Sequence, residues 1–128
     1  MNLIKHIAEH LEFCGQGTVS TTEKAGDIFW GNMPDQPDHA VCVFSTDSGT
    51  PGSSTGARIE ITVRAKSTKQ AYEHSQAIAD ELDRFDGFLH GDGPDVKIKA
   101  MNTSQGLGAD GKFRELYVSN FRVLYCDY

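Results

Sequence analysis

The sequence has no apolar run approaching the roughly 20 residues that a helix needs to cross a bilayer. Positive charge is also scarce, because 12 Lys and Arg stand against 18 Asp and Glu and leave a net charge of −6. Surfaces that coat nucleic acid carry clustered positive charge, so that class of function is disfavoured. The first helix-like segment contains Lys5, Glu9 and Glu12 among its apolar residues, a pattern unlike a secretory signal. We therefore predict an acidic protein without a membrane partner.

Cysteine is rare as well. Cys14, Cys42 and Cys126 are far apart and form no C-x-x-C pair. A disulfide framework in a small secreted chain uses an even number of cysteines, and a zinc site needs closely spaced ligands. The spacing therefore predicts three reduced thiols and no metal site.

The chain has the length of one domain and an ordinary globular composition, so we expect a single domain over residues 1–128. Helical spacing of apolar residues predicts one helix over residues 2–13 and a second after Ser67, a good N-cap. Alternating or β-branched segments predict strands near residues 27–30, 40–44, 58–65, 96–100 and 113–125. Strands separated by only two helices favour an α+β fold, with a mainly antiparallel sheet of about five strands and both helices on one face.

Two polar stretches interrupt this pattern. Residues 45–57 contain no large apolar residue, although they join two good strands. Residues 103–112 hold Gly106, Gly108 and Gly111 before the last strand. Hairpin loops of this length are usually functional or disordered, so we expect two long polar arms that order against a partner. A tolerated insertion is the alternative for each stretch.

Two motifs resemble binding sites without the required context. Residues 106–111 match G-x-G-x-x-G, but a strand-like segment follows where a phosphate-binding motif requires a helix. His6 and His10 stand four residues apart in the first helix, away from its apolar stripe, and no third ligand is fixed by spacing. We expect a solvated helix face at these histidines.

An acid/base cluster of Asp35, Asp38 and His39 is the remaining catalytic candidate. These residues lie in a proline-rich turn, where Asp is favoured for bonding the local backbone. No nucleophile elbow, metalloprotease motif or locally spaced triad is present. The sequence therefore favours a protein that is not an enzyme and has no cofactor. A small ligand-binding or enzymatic α+β domain that uses these three residues near a cleft stays open as an alternative.

Charge is unevenly distributed along the chain. Seven acids and only one cation, Arg84, lie between Glu73 and Asp95, whereas the neighbouring strands are rich in Arg and Lys. An acidic helix face and a basic strand face on one domain can attract each other in neighbouring copies, although a merely solvated surface is the simpler alternative. The candidate oligomer or partner contacts are Ser48, Gly49, Thr50, Pro51, Gly52, Arg58, Arg64, Glu73, Asp80, Gly106 and Gly108.

Three segments carry a family resemblance. Residues 27–35 (DIFWGNMPD) with the strand after them, residues 61–66 (ITVRAK) before the second helix, and residues 120–123 (NFRV) are similar to minor capsid proteins of tailed phages and prophages of Gram-positive bacteria. The resemblance implies a small α+β protein akin to tail terminators, which assemble as a ring, commonly of six subunits, where head meets tail.

Such a ring halts growth of the tail tube and docks the tail to the head. The partners implied are further copies of the chain, the tail-tube protein and a head-completion or connector protein, with DNA passing through the lumen unbound. The implied location is the host cytoplasm during assembly and then the head–tail junction of the virion. A head-completion adaptor of the same phage is a second alternative.

Overall fold

The computed structural model describes residues 2–45 and 56–125. Two helices and six strands follow one another along this part of the chain. They are α1 (Leu3–Phe13), β1 (Ile28–Trp30), β2 (Ala40–Ser45), β3 (Gly56–Ala65), α2 (Thr68–Leu82), β4 (Asp86–Phe88), β5 (Asp95–Ala109) and β6 (Glu115–Tyr125). None of the helices described is long and apolar enough to cross a membrane.

The six strands form one mixed sheet in the order β1-β2-β3-β6-β5-β4. The predicted α+β class is confirmed. The prediction of a mainly antiparallel sheet of about five strands was wrong, because β1 pairs parallel to β2 and β4 adds a sixth strand. The proline-rich segment after β1 leads the chain back to the start of β2, which makes the parallel pair possible. β4 is only three residues long and contains Asp86 and Gly87, so no strand pattern reveals it.

Both helices pack on one face of the sheet, as predicted. One buried cluster joins Ile7 and Leu11 of α1, Ile78 of α2, Ile61 of β3 and Phe121 of β6. Capping side chains fix where the helices begin, since Asn2 Oδ1 accepts from the Lys5 amide at 3.3 Å and Ser67 Oγ from the Gln70 amide at 3.1 Å. Neither helix covers the outward side of the sheet.

The polar stretch 103–112 is mostly strand. β5 continues to Ala109 and pairs with β6 as far as Ala109 and Glu115, so the predicted long arm was wrong and the connection spans only residues 110–114. The register shifts three times between Ala100 and Gly108. At one shift Ser119 Oγ accepts from the Ser104 amide at 2.9 Å, so a side chain supplies the partner that the ladder loses. Gly106 and Gly108, which the sequence pattern associates with a loop, therefore lie at an irregular part of the strand pair.

The other polar stretch joins β2 to β3. Its residues 46–55, including the candidates Ser48, Gly49, Thr50, Pro51 and Gly52, lie outside the described residues. The flanking strands are antiparallel, with Ser45 opposite Ile59 and Gly56 opposite Leu124 of β6. β2 and β3 are therefore neighbouring antiparallel strands, as a hairpin requires, and Ser45, Gly56 and Ala57 of the predicted connection belong to these strands.

Candidate assembly surfaces

Arg64 does not lie on an open surface, although the sequence predicts it as a partner contact. Its side chain points away from the helices, but the proline-rich turn folds across it and leaves the residue 5% exposed. The guanidinium donates to the carbonyl oxygens of Pro34 at 2.9 Å and Pro37 at 2.6 Å, and at 3.3 Å to those of Asp35 and Asp38. Arg64 therefore holds the turn against one half of the outer sheet face.

Arg114 holds the same turn from β6's side of the sheet. This residue is 4% exposed and reaches Asp35 at 3.0 Å, Asp38 at 3.3 Å and Asp110 at 2.8 Å. Lys112 also forms an ion pair with Asp35. Carboxylates and cations from two distant parts of the chain thus form one network between the turn and the β5–β6 connection.

The acid/base candidates Asp35 and Asp38 are used by this network. A hydrogen bond from Lys112, followed by one from Arg114, lowers the pKa of Asp35 below its ordinary value. Lys66, at 3.2 Å, is the main cause that lowers the pKa of Asp38. Ionised carboxylates that are paired in this way stabilise structure, whereas a general acid needs a raised pKa.

His39 faces a different partner from the one its sequence neighbours suggest. Its Nε2 lies 2.7 Å from Nδ1 of His74, and His74 Nε2 lies 2.9 Å from the carbonyl oxygen of Gln16. A carbonyl only accepts, so His74 donates to Gln16 and receives the hydrogen bond of His39. Burial lowers the pKa of His74, which favours the neutral ring that this hydrogen-bond arrangement requires of His74.

His10 is buried, so the predicted solvated helix face was wrong at this position. It is 5% exposed and its Nδ1 accepts from the His90 amide at 3.0 Å. The ring also packs edge-on against Phe85, and burial is the main cause that lowers its pKa. The segment between β4 and β5, which contains His90, covers this side of α1. A periodicity argument within α1 cannot reveal that contact.

A groove of about 660 Å³ lies beside the edge strand β1. It is lined by Lys5 and Glu9 of α1, by the segment 19–24, and by Phe29 and Trp30. Neither Asp35 nor Asp38 lines this groove, so the alternative of an acid/base cluster in a cleft gains no support from it.

Metal-ligating and thiol groups are dispersed in the described part of the chain. Within residues 2–45 and 56–125, no three His, Cys, Asp or Glu residues are grouped so that they could hold a metal ion. Cys14 and Cys42 are free thiols, and burial raises the pKa of Cys42 to about 12. A thiol with so high a pKa stays protonated and unreactive at neutral pH.

The outer sheet face beyond the turn carries exposed cations. Arg58 of β3 lies opposite Arg122 of β6, and Arg122 lies opposite Lys99 of β5. All three are exposed. Arg58 is among the contacts predicted from the sequence and Arg122 is not, although the alternation of β6 puts Arg122 in the phase opposite to Phe121 and Val123.

The acidic candidates lie on the other side of the molecule. Glu73 and Asp80 are exposed on α2, whose buried residues Ala71 and Ile78 face the sheet. The candidates Gly106 and Gly108 lie in β5, opposite Tyr117 and Leu116, rather than in a loop. The structure thus separates basic and acidic candidates onto opposite faces.

The tip of the β5–β6 hairpin exposes apolar side chains that no sequence pattern indicates. Phe113 is 86% exposed and Leu107 is 59% exposed. Phe113 has a φ of 62°, which is unusual for a bulky residue. The tip itself is well held, since Asp110 accepts from the amides of Lys112 and Arg114, both at 2.9 Å.

Two comparisons with known proteins bear on the family of this chain. A search of curated protein sequences found no match to the chain. A family model described as bacteriophage tail terminator protein matches residues 11–125, which include all six strands and α2. The match covers most of the chain, and the chain therefore belongs to the bacteriophage tail terminator family.

Proposed function

We propose that this structural protein of a phage tail closes into a ring at the head–tail junction, where it ends growth of the tail tube and docks the tail to the head. The observation that carries the proposal is the family match over residues 11–125, because it runs through the whole sheet. Its partners in this role are further copies of the chain, the tail-tube protein and a head-completion or connector protein. Assembly takes place in the host cytoplasm, and the ring then stays in the virion.

The tip of the β5–β6 hairpin supports a docking role. Phe113 combines high exposure with a positive φ, a conformation that costs a non-glycine residue about 1–2 kcal/mol. Strain of this kind is often kept at sites of function. The network around Arg114 already orders the tip. The tip therefore loses little further conformational freedom when a partner covers Phe113 and Leu107.

The acidity of the chain also suits a ring around DNA. A net charge of −6 repels phosphate, so DNA can pass through the lumen without sticking.

Tube capping provides the test. The tail-tube protein of the same phage is polymerised with and without this chain, and tube lengths and end densities are measured by negative-stain electron microscopy. We expect short tubes with a ring at the end when the chain is present. Tubes of unchanged length with bare ends would contradict the proposal.

A Phe113→Gly variant separates docking from folding. Glycine tolerates the positive φ, so the unfolding free energy should stay unchanged or rise by up to about 1 kcal/mol. Capping should nevertheless weaken, because the exposed ring is lost. Phe88→Ser is the matched control, since Phe88 is 70% exposed on β4 rather than at the tip, and it should cap normally. Full capping by the Phe113→Gly variant would exclude the tip as the docking point.

A further inference from the structure

Three cations form a row across the outer face of the sheet. Arg58, Arg122 and Lys99 stand in direct register on the neighbouring strands β3, β6 and β5. Lys97 is two residues further along β5, where Asp86 of β4 lies 4.0 Å from it. Like charges directly opposite each other destabilise a sheet, so an anionic surface laid across the row would reduce the repulsion between Arg122 and Lys99.

An acidic stripe lies on the outward side of α2. Glu73 and Asp80 are two turns apart on the same side of the helix, and Gln76 between them donates to Asp80 at 3.1 Å. Lys69 stands at the start of this stripe, so the acidic part runs toward the C-terminal end of the helix. Its two carboxylates are exposed.

The row and the stripe lie on opposite sides of the same strands. α2 packs on the helix-facing side of β3, β6 and β5, while the cations project from the other side of those three strands. One copy therefore presents the cation row on one side of the sheet, its back, and the acidic stripe on the other side, its front. A symmetric pairing of two backs brings cations against cations, whereas front-to-back contacts bring opposite charges together.

We infer that the cation row Arg58–Arg122–Lys99 receives the acidic stripe Glu73–Asp80 of the next copy, so that copies associate front to back. This inference rests on the proposed ring. Front-to-back contacts are heterologous, and such contacts close into a ring when the rotation between copies permits it. The partner is thus a second copy of this chain rather than nucleic acid.

The dimensions of the two surfaces agree. Seven residues of α-helix separate Glu73 from Asp80, a rise of about 10 Å. Two strand spacings separate Arg58 from Lys99, also about 10 Å. Leu124 projects from the same face two residues beyond Arg122 and is 45% exposed, so the contact also removes apolar surface from water.

Charge reversal tests the contact. One variant, Arg122→Glu/Lys99→Glu, makes both faces acidic, and a second, Glu73→Lys/Asp80→Lys, makes both faces basic. Oligomer mass is measured by native mass spectrometry and light scattering, and circular dichroism verifies folding. We expect each variant alone to associate at least tenfold more weakly than the original chain. An equimolar mixture should assemble again with alternating copies, and so should a variant with all four substitutions.

Matched controls change the same charge elsewhere. Lys5→Glu/Lys24→Glu and Glu23→Lys/Asp92→Lys alter exposed residues outside the row and the stripe, so both should assemble like the original chain. Raising the salt from about 0.05 M to 0.5 M should weaken assembly of the original chain, because exposed charges are screened.

The outcomes separate this inference from the proposed function. Rings that persist in both reversed variants, or a mixture that stays monomeric although each component is folded, would overturn the front-to-back contact and leave the ring itself standing. An original chain that stays monomeric at every concentration and also fails to cap tubes would overturn the proposed function.

Discussion

Replacing Arg64 by Met tests whether one buried guanidinium holds the proline-rich turn on the sheet. Methionine keeps an unbranched chain of similar length but removes every donor. Four carbonyl oxygens lose their contact, two of them at 2.6 and 2.9 Å and two at 3.3 Å. Hydrogen bonds from charged groups contribute about 1.5–3 kcal/mol each, but the two long ones count less and water can reach the released turn. We expect the free energy of unfolding to fall by about 2–4 kcal/mol.

Urea denaturation measures this loss, read as a lower transition midpoint with an unchanged slope. Lys66→Met is the matched control, because Lys66 also bonds the turn, through Asp38 at 3.2 Å, but is 74% exposed. Exposed ion pairs contribute little, so this variant should unfold almost like the original chain. Equal, small losses in both variants would show that Arg64 does not anchor the turn.

Three further predictions concern pH, the core and the loop. Burial lowers the pKa of His10 and His74 below 6.5 in the folded state, so the unfolded state binds more protons as the pH falls. Urea titrations should therefore show stability that is nearly constant from about pH 7 to pH 8 and declines below 6.5, and an increase below 6.5 would contradict this account. Phe121→Ala should cost about 3–5 kcal/mol, measured in the same way, because this ring is 1% exposed in the core; a loss below about 1 kcal/mol would contradict its position. Replacing residues 48–55 by Asn-Gly should leave the circular dichroism spectrum unchanged, since Gly56 already pairs within the sheet. The same replacement should reduce head–tail joining in a complementation assay. Normal joining would exclude residues 48–55 as a contact.

Local patterns predicted the parts of the fold that depend on local forces. The stripe Ala71, Ile78 and Leu82 gave α2, and the alternation from Arg58 onward gave β3 with the correct faces. Ser67 was correctly predicted as a cap, because its hydroxyl needs only the next turn of the helix. Each of these features depends on residues within one element.

Features that depend on distant residues were not predictable in this way. Arg64 has the alternation of a surface strand residue, and only the return of the turn across the sheet buries it. His10 is covered by the segment around His90, which lies 80 residues away in the sequence. Its Nδ1 accepts a hydrogen bond from the His90 amide. The glycines of β5 indicate a loop until β6 pairs with them across bulges. Tertiary contacts override local preference in all three cases.

The candidate surfaces divide in the same way. Glu73 and Asp80 could be assigned to an exposed helix face from spacing alone, and the structure agrees. The cation row could not, because it requires the register between β3, β6 and β5, which three separate segments determine together. The order and register of the strands are needed to show that the cation row and the acidic stripe lie on opposite sides of the sheet.

The mass of the assembled chain is the decisive observation for a closed ring. Native mass spectrometry of the original protein at low salt, over a range of concentrations, should show one closed oligomer of fixed size, for which we expect six subunits. A monomer at every concentration, or an open series of increasing sizes, would contradict the account of a ring that ends the tail tube.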